Sequence, residues 1–230
     1  MPSSGDRVAL VTGANRGIGL EVVRQLLGHG FRTILSARDE AKGRAAAQEV
    51  GSAFVRLDVS DDESVRTCFE ELDRTYGRLD VLVNNAAINF DPRERANDVD
   101  LASVRETYET NVFGAWRTCQ AAIPWMRRDG WGRIVNVSSE AGSLASMEGR
   151  APAYATSKTA LNALTRILAA ELRGTGILVN AVSPGWIATD MGGPGGAPID
   201  IGAARVVWAA LLPDDGPTGG FFRDGRPVPW

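Results

Sequence analysis

The stretch RVALVTGANRGIG, residues 7–19, sets the reading of everything after it. Arg7–Thr12 is a short, mostly apolar run that ends at a glycine, the pattern of a buried strand. Gly13, Gly17 and Gly19 follow, and Gly17–Gly28 carries apolar residues at helical spacing. Glycines at a strand-to-helix turn let the backbone pass close to a phosphate. The helix start adds N–H groups with no partner inside the helix, which favour an anion. The spacing is Gly-x-x-x-Gly-x-Gly rather than the commoner Gly-x-Gly-x-x-Gly. A tight turn with incidental glycines is the plain alternative; the strand before it and the helix after it argue against that.

Outward from this turn, strand-like and helix-like runs alternate. Arg32–Ser36, Ala53–Asp58, Leu79–Asn84, Arg133–Ser138, Ile177–Val182 and Gly219–Arg223 read as strands. Asp39–Val50 reads as a helix. Ser60-Asp61-Asp62-Glu63 has the capping-box pattern, ahead of a helix whose apolar face is Val65, Cys68, Phe69 and Leu72. Val99–Arg128 reads as one long helix with Leu101, Val104, Tyr108, Val112, Ala115 and Cys119 in register, and Ala204, Val207, Trp208 and Leu211 mark a last helix. The strands are apolar without alternation, so both faces are covered and the sheet is parallel. Right-handed crossovers then predict an α/β, Rossmann-type doubly wound sheet of about seven strands in the order 3-2-1-4-5-6-7. No linker or repeat divides the chain. Residues 1–230 are expected to form one domain with a flexible loop around 186–200, loosest at Gly192–Ala197. A lid over a site is the sharper reading of that loop.

Composition narrows the function class. A hydrophobic fraction of 44% and a charged fraction of 23% belong to a soluble globular protein. Lys+Arg 25 against Asp+Glu 28 gives −3, no support for a basic nucleic-acid surface. No apolar run reaches the roughly 18 residues of a membrane span. Met1–Asp6 is polar and leads straight into a strand, unlike a signal peptide, so a cytoplasmic protein is expected. Cys68 and Cys119 sit on helical apolar stripes and read as buried thiols in a reducing compartment. The one histidine, His29, lies in a Gly28-His29-Gly30 turn, so neither a metal site nor a histidine-activated nucleophile is expected.

Ala151–Leu172 reads as a helix with Leu161, Leu164, Leu168 and Leu172 on one stripe. Near its start Tyr154 and Lys158 stand four apart, on one face. A phenol beside an ammonium has its pKa pulled down, because the cation favours the phenolate. That suits proton transfer near neutral pH. Taken alone, such a pair reads as solvated packing.

Together these motifs resemble the short-chain dehydrogenase/reductase family, from Arg7 to Trp230. TGANRGIG at 12–19 is similar to the family's cofactor turn and implies contacts from Gly13, Asn15, Arg16, Gly17, Ile18 and Gly19. LDVSD at 57–61 resembles the segment whose Asp58 holds the adenine, with Leu57 and Val59 beside it. NNAA at 84–87 is similar to the family's Asn-Asn-Ala-Gly and implies roles for Asn85, Ala86 and Ala87. Ala87 stands where glycine is usual, which a turn tolerates if φ stays negative. SPGWIATDM at 183–191 resembles the Pro-Gly segment beside the nicotinamide, with Pro184, Gly185, Ile187 and Thr189 as implied contacts. Asn111, Ser139, Tyr154 and Lys158 fall where the family keeps its catalytic tetrad, the last three in VNVSS and YATSK. The tail FFRDGRPVPW resembles that of monomeric carbonyl reductases and plant menthone reductases. The long insertion many of those carry before the tyrosine is absent here.

Charge separates the two nicotinamide cofactors. An acid at the end of the second strand would bind a ribose 2′-hydroxyl and repel a 2′-phosphate. This strand ends Ser36-Ala37-Arg38. Arg38 can fork onto a phosphate, with help from Arg16, so NADPH is expected over NADH. The plain alternative pairs Arg38 with Asp39 or Glu40 on the surface.

The resemblance implies hydride transfer from NADPH to the carbonyl carbon of an aldehyde, ketone or quinone. Tyr154 gives the proton, while Lys158 lowers its pKa and holds the nicotinamide ribose. Ser139 positions the carbonyl oxygen, and Asn111 interrupts the long helix so that its backbone holds a water near Lys158. Ser138 points the opposite way from Ser139, toward the cofactor side. Ile88, Phe90, Glu140, Met147, Trp186 and Met191 adjoin motif residues and are candidate substrate contacts; Trp186 reads equally as packing under the loop. Two alternatives stand: an NAD-dependent alcohol dehydrogenase working oxidatively, opposed by Arg38, and a non-catalytic dinucleotide sensor, opposed by the Tyr154–Lys158 pair. The expected partner is a small-molecule carbonyl substrate, with neither nucleic acid nor membrane. The family's assembly through two long helices implies a homodimer or homotetramer, whereas the tail resembles monomers, and both stay open.

Overall fold

β1 (Val8–Val11) shows why the sheet is sandwiched: all four residues are buried. Successive side chains of a strand point to opposite faces. Val8 and Leu10 join one core, Ala9 and Val11 the other. In the computed structural model, which describes residues 7–90 and 92–230, β1 pairs in parallel with β2 (Arg32–Ala37) and with β4 (Val81–Asn84). β3 (Ala53–Arg56) lies beyond β2. On the other side run β5 (Gly132–Val137), β6 (Ile177–Val182) and β7 (Phe221–Arg223). The described residues form one sheet in the order β3-β2-β1-β4-β5-β6-β7-β8.

That order agrees with the sequence reading, with one strand added. β8 (Arg226–Pro227) pairs antiparallel with β7. Asp224 and Gly225 join them, both at positive φ, 52° and 67°. Asp-Gly is the pair that a tight hairpin turn selects.

α1 (Gly17–Gly28), α2 (Glu40–Val50) and α7 (Ile199–Ala210) cover one face. Val22, Val23, Leu26, Ala46, Val206 and Val207 pack there on Val11, Leu35 and Val83. α3 (Asp62–Tyr76), α5 (Ala115–Asp129) and α6 (Pro152–Glu171) cover the other, with Phe69, Cys119, Met126, Leu161 and Leu168 on Leu10, Leu82 and Ile134. Cys68 and Cys119 are buried, and desolvation pushes both thiols up to about 12, so neither is a ready nucleophile.

Three local readings change. The expected helix Val99–Arg128 is α4 (Leu101–Tyr108), a π-helical turn at Glu109–Gly114, and then α5. Leu101, expected on its buried stripe, is exposed. α3 is capped by Asp61, which accepts from the Glu63 N–H; Ser60 instead donates to Asp58. In α7 the buried stripe sits one residue earlier than expected, on Ala203, Val206, Val207 and Ala210, and Ala204 is exposed.

The loop read as loosest is stitched by backbone bonds. The Ala188 N–H donates to the Ala197 carbonyl at 2.9 Å and the Ala197 N–H to the Trp186 carbonyl at 2.8 Å. Its far end, from Ile199, already belongs to α7. No helix among the described residues is long and apolar enough to cross a membrane.

Candidate active site

The strand order reverses between β1 and β4, and a cleft of about 800 Å³ opens over the carboxyl ends of the strands there. Its floor is the turn from β1 into α1. Gly13 has φ +62°, and a Cβ there would stand 2.8 Å from Ala86 Cα, so only glycine lets these two turns touch. Asn85 holds them together: its side-chain amide donates to the Thr12 and Gly13 carbonyls at 2.9 and 3.1 Å. Ala87 keeps a negative φ, so its replacement of glycine costs no strain.

The start of α1 is built for an anion. α2, α3 and α4 are each capped by an aspartate, Asp39, Asp61 and Asp100. α1 has no side-chain cap and no acid in its first turn. Gly17, Ile18 and Gly19 line the cleft with their helix-start amides unclaimed by a cap. These features fit the pyrophosphate of a dinucleotide.

Arg38 is exposed on the cleft wall. The surface pairing that would occupy it does not form: Asp39 pairs with Lys42 and Glu40 with Arg44. Arg16 pairs across the cleft mouth with Asp190 at 2.6 Å. Asp58 turns its carboxylate to the Ser60 N–H and hydroxyl, at 3.0 and 2.6 Å.

At the other end stand Tyr154 and Lys158, both buried on the first turns of α6. Pro152 opens that helix at a position where its missing N–H costs nothing. Lys158 donates from Nζ to the Val137 carbonyl at 2.8 Å and lies 5.5 Å from the centre of the Tyr154 ring. Burial pulls the ammonium down to about 8. Burial also pushes the Tyr154 phenol up to about 12, against a lowering contribution from Ser139. The depression expected from Lys158 is not among the causes of that shift in the chain by itself, where burial sets the direction. Phe90 meets the Tyr154 ring edge-on at 5.2 Å.

Ser139 Oγ accepts from the Ala141 N–H at 3.2 Å, starting the short 3-10 turn Glu140–Gly142. Asn111 is buried in the π-helical turn. It accepts from the Ile88 N–H at 2.8 Å and donates to the Ile88 carbonyl and the Ser157 hydroxyl at 3.2 and 3.1 Å.

The cleft thus brings together Gly13, Asn15, Arg16, Gly17, Ile18, Gly19, Arg38, Leu57, Asp58, Val59, Asn85, Ala86, Ala87, Ile88, Tyr154, Lys158, Pro184, Thr189 and Met191. Ser139, Asn111, Gly185, Phe90, Glu140 and Trp186 adjoin this wall without forming it, and Met147 does not line it. Ile187 is buried beneath it, against Gly202. Glu140 is ion-paired with Arg223 at 2.7 Å. Trp186 is exposed and donates from Nε1 to the Gly192 carbonyl at 2.7 Å, which is the loop-packing alternative. Ser138 lines the cleft and donates to Asn162 at 2.6 Å.

Sequence reading missed Thr110, Val137 and Asp190 on the wall, each in or beside a motif, and Ile199 at the end of the loop. It also missed a buried polar chain beneath the site. Thr118 donates to Asn84, Asn84 to Asn136, and Asn136 to Thr165 of α6, at 2.7, 2.9 and 2.8 Å. The signal was an asparagine in each of two apolar strands, at register partners Asn84 and Asn136.

The family model described as short chain dehydrogenase matches residues 7–197. Carbonyl reductase [NADPH] 1 of Sus scrofa is 36% identical over 281 residues, covering 99% of this chain and 96% of the relative. Those 281 positions exceed the 230 residues here by 51, so the relative carries residues this chain lacks. L-fucose dehydrogenase of Oryctolagus cuniculus is 37% identical over 186 residues, 80% of this chain and 64% of the relative. The structure of salutaridine reductase from Papaver somniferum superposes with a TM-score of 0.84 at 28% identity, covering 95% of this chain and 99% of that one. On the family match and these near full-length similarities, the chain belongs to the short-chain dehydrogenase family.

Proposed function

We propose that the chain, an oxidoreductase, reduces a carbonyl group of a small molecule to an alcohol with NADPH, and that Tyr154 is the general acid. One observation carries the reading: Tyr154 and Lys158 close one end of a cleft whose other end holds Arg38 with no acidic partner. The NADPH named for the Sus scrofa relative supports it.

Bound NADPH supplies the hydride. The chain's own groups do the rest. The first amides of α1 hold the pyrophosphate, Asp58 the adenine, and Arg38 the 2′-phosphate, joined by Arg16 on leaving Asp190. The Tyr154 phenol, raised further by burial, is protonated at neutral pH, as a donor must be. Once Oη has given its proton, the nearby Lys158 ammonium stabilises the phenolate. Ser139 Oγ spends a lone pair on the Ala141 N–H, which leaves its own proton for the carbonyl oxygen.

The test is loss of NADPH absorbance with a panel of aldehydes, ketones and quinones, run beside NADH. Turnover with NADPH preferred is expected, and Tyr154→Phe is expected to lose at least about 100-fold in rate while still binding NADPH. Retained turnover in that variant removes Tyr154 from the role. A preference for NADH with alcohol oxidation favours the dehydrogenase alternative; binding without turnover on any substrate favours the sensor.

A further inference from the structure

We propose that the C-terminal tail positions Ser139, with Arg223 as the positioning residue; this rests on the reading of Ser139 as the group that holds the substrate oxygen. Ser139 stands at the tip of the 3-10 turn Glu140–Gly142, and that turn is gripped from two sides. The inner grip comes from α6 and acts on Gly142. A Cβ there would lie 2.7 Å from the Lys158 backbone carbon, so the turn sits directly on the helix. The Gly142 carbonyl accepts from Thr159 Oγ1 and Asn162 Nδ2 at 3.0 and 3.2 Å.

The outer grip comes from the tail. Arg223 Nη1 donates to Glu140 Oε2 at 2.7 Å. Ser143 Oγ donates to the Pro229 carbonyl at 2.7 Å, and the Ala145 N–H to the Trp230 carbonyl at 3.0 Å. The tail is itself pinned: the Trp230 ring stacks on Phe221 at 5.7 Å, and the Arg166 guanidinium lies 5.4 Å from it.

The two grips differ in what they control. α6 fixes the far end of the turn, three residues from Ser139. Glu140 is the neighbour of Ser139, and its carboxylate is held by Arg223. Neither helix nor strand occurs from Ser143 to Ala151, so the segment between Ser139 and Tyr154 has no framework of its own. Ser138 is held on the other side, its N–H by the Val182 carbonyl and its hydroxyl by Asn162, so release from the tail would loosen the turn between these two fixed ends and let Ser139 Oγ lose its aim toward Tyr154. Arg223 also lies against Gly185, its Cζ 3.5 Å from where a Cβ would stand, so one guanidinium spans the Ser139 turn and the Pro184–Gly185 segment. Glu140 is accordingly an anchor for the turn rather than a substrate contact.

The variants are Arg223→Gln, Arg223→Lys and Ser143→Ala, which cuts the same grip from the loop side. With a carbonyl substrate of the wild type, Arg223→Gln is expected to lower kcat about tenfold with KM for NADPH unchanged, as misplacement of a reacting geometry does. Arg223→Lys recovers most of the loss, and Ser143→Ala moves in the same direction. Wild-type kcat in Arg223→Gln, or equal loss in the Lys variant, overturns the proposal.

Amide hydrogen exchange reads it without turnover: exchange across residues 139–145 speeds up in Arg223→Gln or Ser143→Ala while α6 stays protected. Unchanged exchange overturns the proposal on its own. A wild type inert to every carbonyl, with faster exchange in the variants, overturns the functional reading and leaves the grip intact.

Discussion

Lys158 holds a cation where burial disfavours one. Its ammonium donates to the Val137 carbonyl, and burial takes its pKa from 10.5 down to about 8. The sign of the pH effect follows. Below about pH 8 both folded and unfolded states carry the proton, and the full penalty stands. Between about 8 and 10.5 the unfolded state binds more protons, so this residue's contribution to stability rises with pH. The penalty relieved is on the order of 3 kcal/mol. Tyr154, Cys68 and Cys119 act oppositely: burial pushes each up to about 12, so each costs stability once its unfolded form ionises, above about 9 to 10. Comparing two proteins cancels those terms. Lys158→Met, melted without added cofactor, is expected to exceed the wild type at pH 7 by about 2 kcal/mol, after about 1 kcal/mol for the orphaned Val137 carbonyl. The gap should close as pH rises from 8 toward 10, and carbonyl reduction should be lost. A variant that melts below the wild type at pH 7 would show that Lys158 is not under strain. Sequence alone placed Tyr154 and Lys158 on one face and led to the expectation of a lowered phenol, whereas burial raises it in the chain by itself. Spacing shows the neighbour, whereas burial depends on Phe90 and the rest of the packing.

At the scale of elements, the π-helical turn between α4 and α5 was the feature least visible in the chain. Apolar periodicity runs through Val112, Ala115 and Cys119 without a break, and one extra residue in a turn barely disturbs it. The clue was Asn111, a residue that competes with the helix backbone. Its side chain carries both backbone polar groups of Ile88 and also meets Ser157 of α6. It therefore joins three elements: the end of the β4 loop, the broken helix and α6. Truncation leaves a buried donor and acceptor unmatched, which costs about 1–3 kcal/mol for each group. Asn111→Ala is thus expected to lose about 3 kcal/mol, a fall of roughly 6–12 °C in melting midpoint for a chain of this length. An unchanged midpoint by calorimetry would mean that water replaces the amide. The cap of α3 was misread for a related reason: Ser60 and Asp61 both fit the pattern, and Asp58, one strand end away, claims Ser60.

The whole molecule sorts its charge along one cleft. The doubly wound sheet was legible because each inner strand is apolar on both faces, and its cofactor end was legible because phosphate binding rests on a short local turn. The substrate end was not. In the proposed arrangement it rests on contacts such as Arg223–Glu140 and Ser143–Pro229, between residues more than 80 apart in sequence. At the cofactor end, the uncapped start of α1 and the unpaired Arg38 favour anions, although the chain carries −3 overall. In the proposed function, selectivity between the two nicotinamide cofactors rests on the guanidinium groups and not on the general charge. A ligand that binds the folded state alone raises stability by about 2.7 kcal/mol at a hundredfold excess over Kd, or roughly 5–10 °C here. NADPH is expected to produce that shift at lower concentration than NADH. Arg38→Asp is expected to raise the NADPH concentration needed at least about tenfold, by removing a charged contact and adding a repulsion, while NADH needs the same or less. Thermal melts over a cofactor series read both arms. Equal weakening of NADH and NADPH would move Arg38 off the 2′-phosphate and make it part of the common dinucleotide grip, and no change in either would leave Arg16 as the selecting cation.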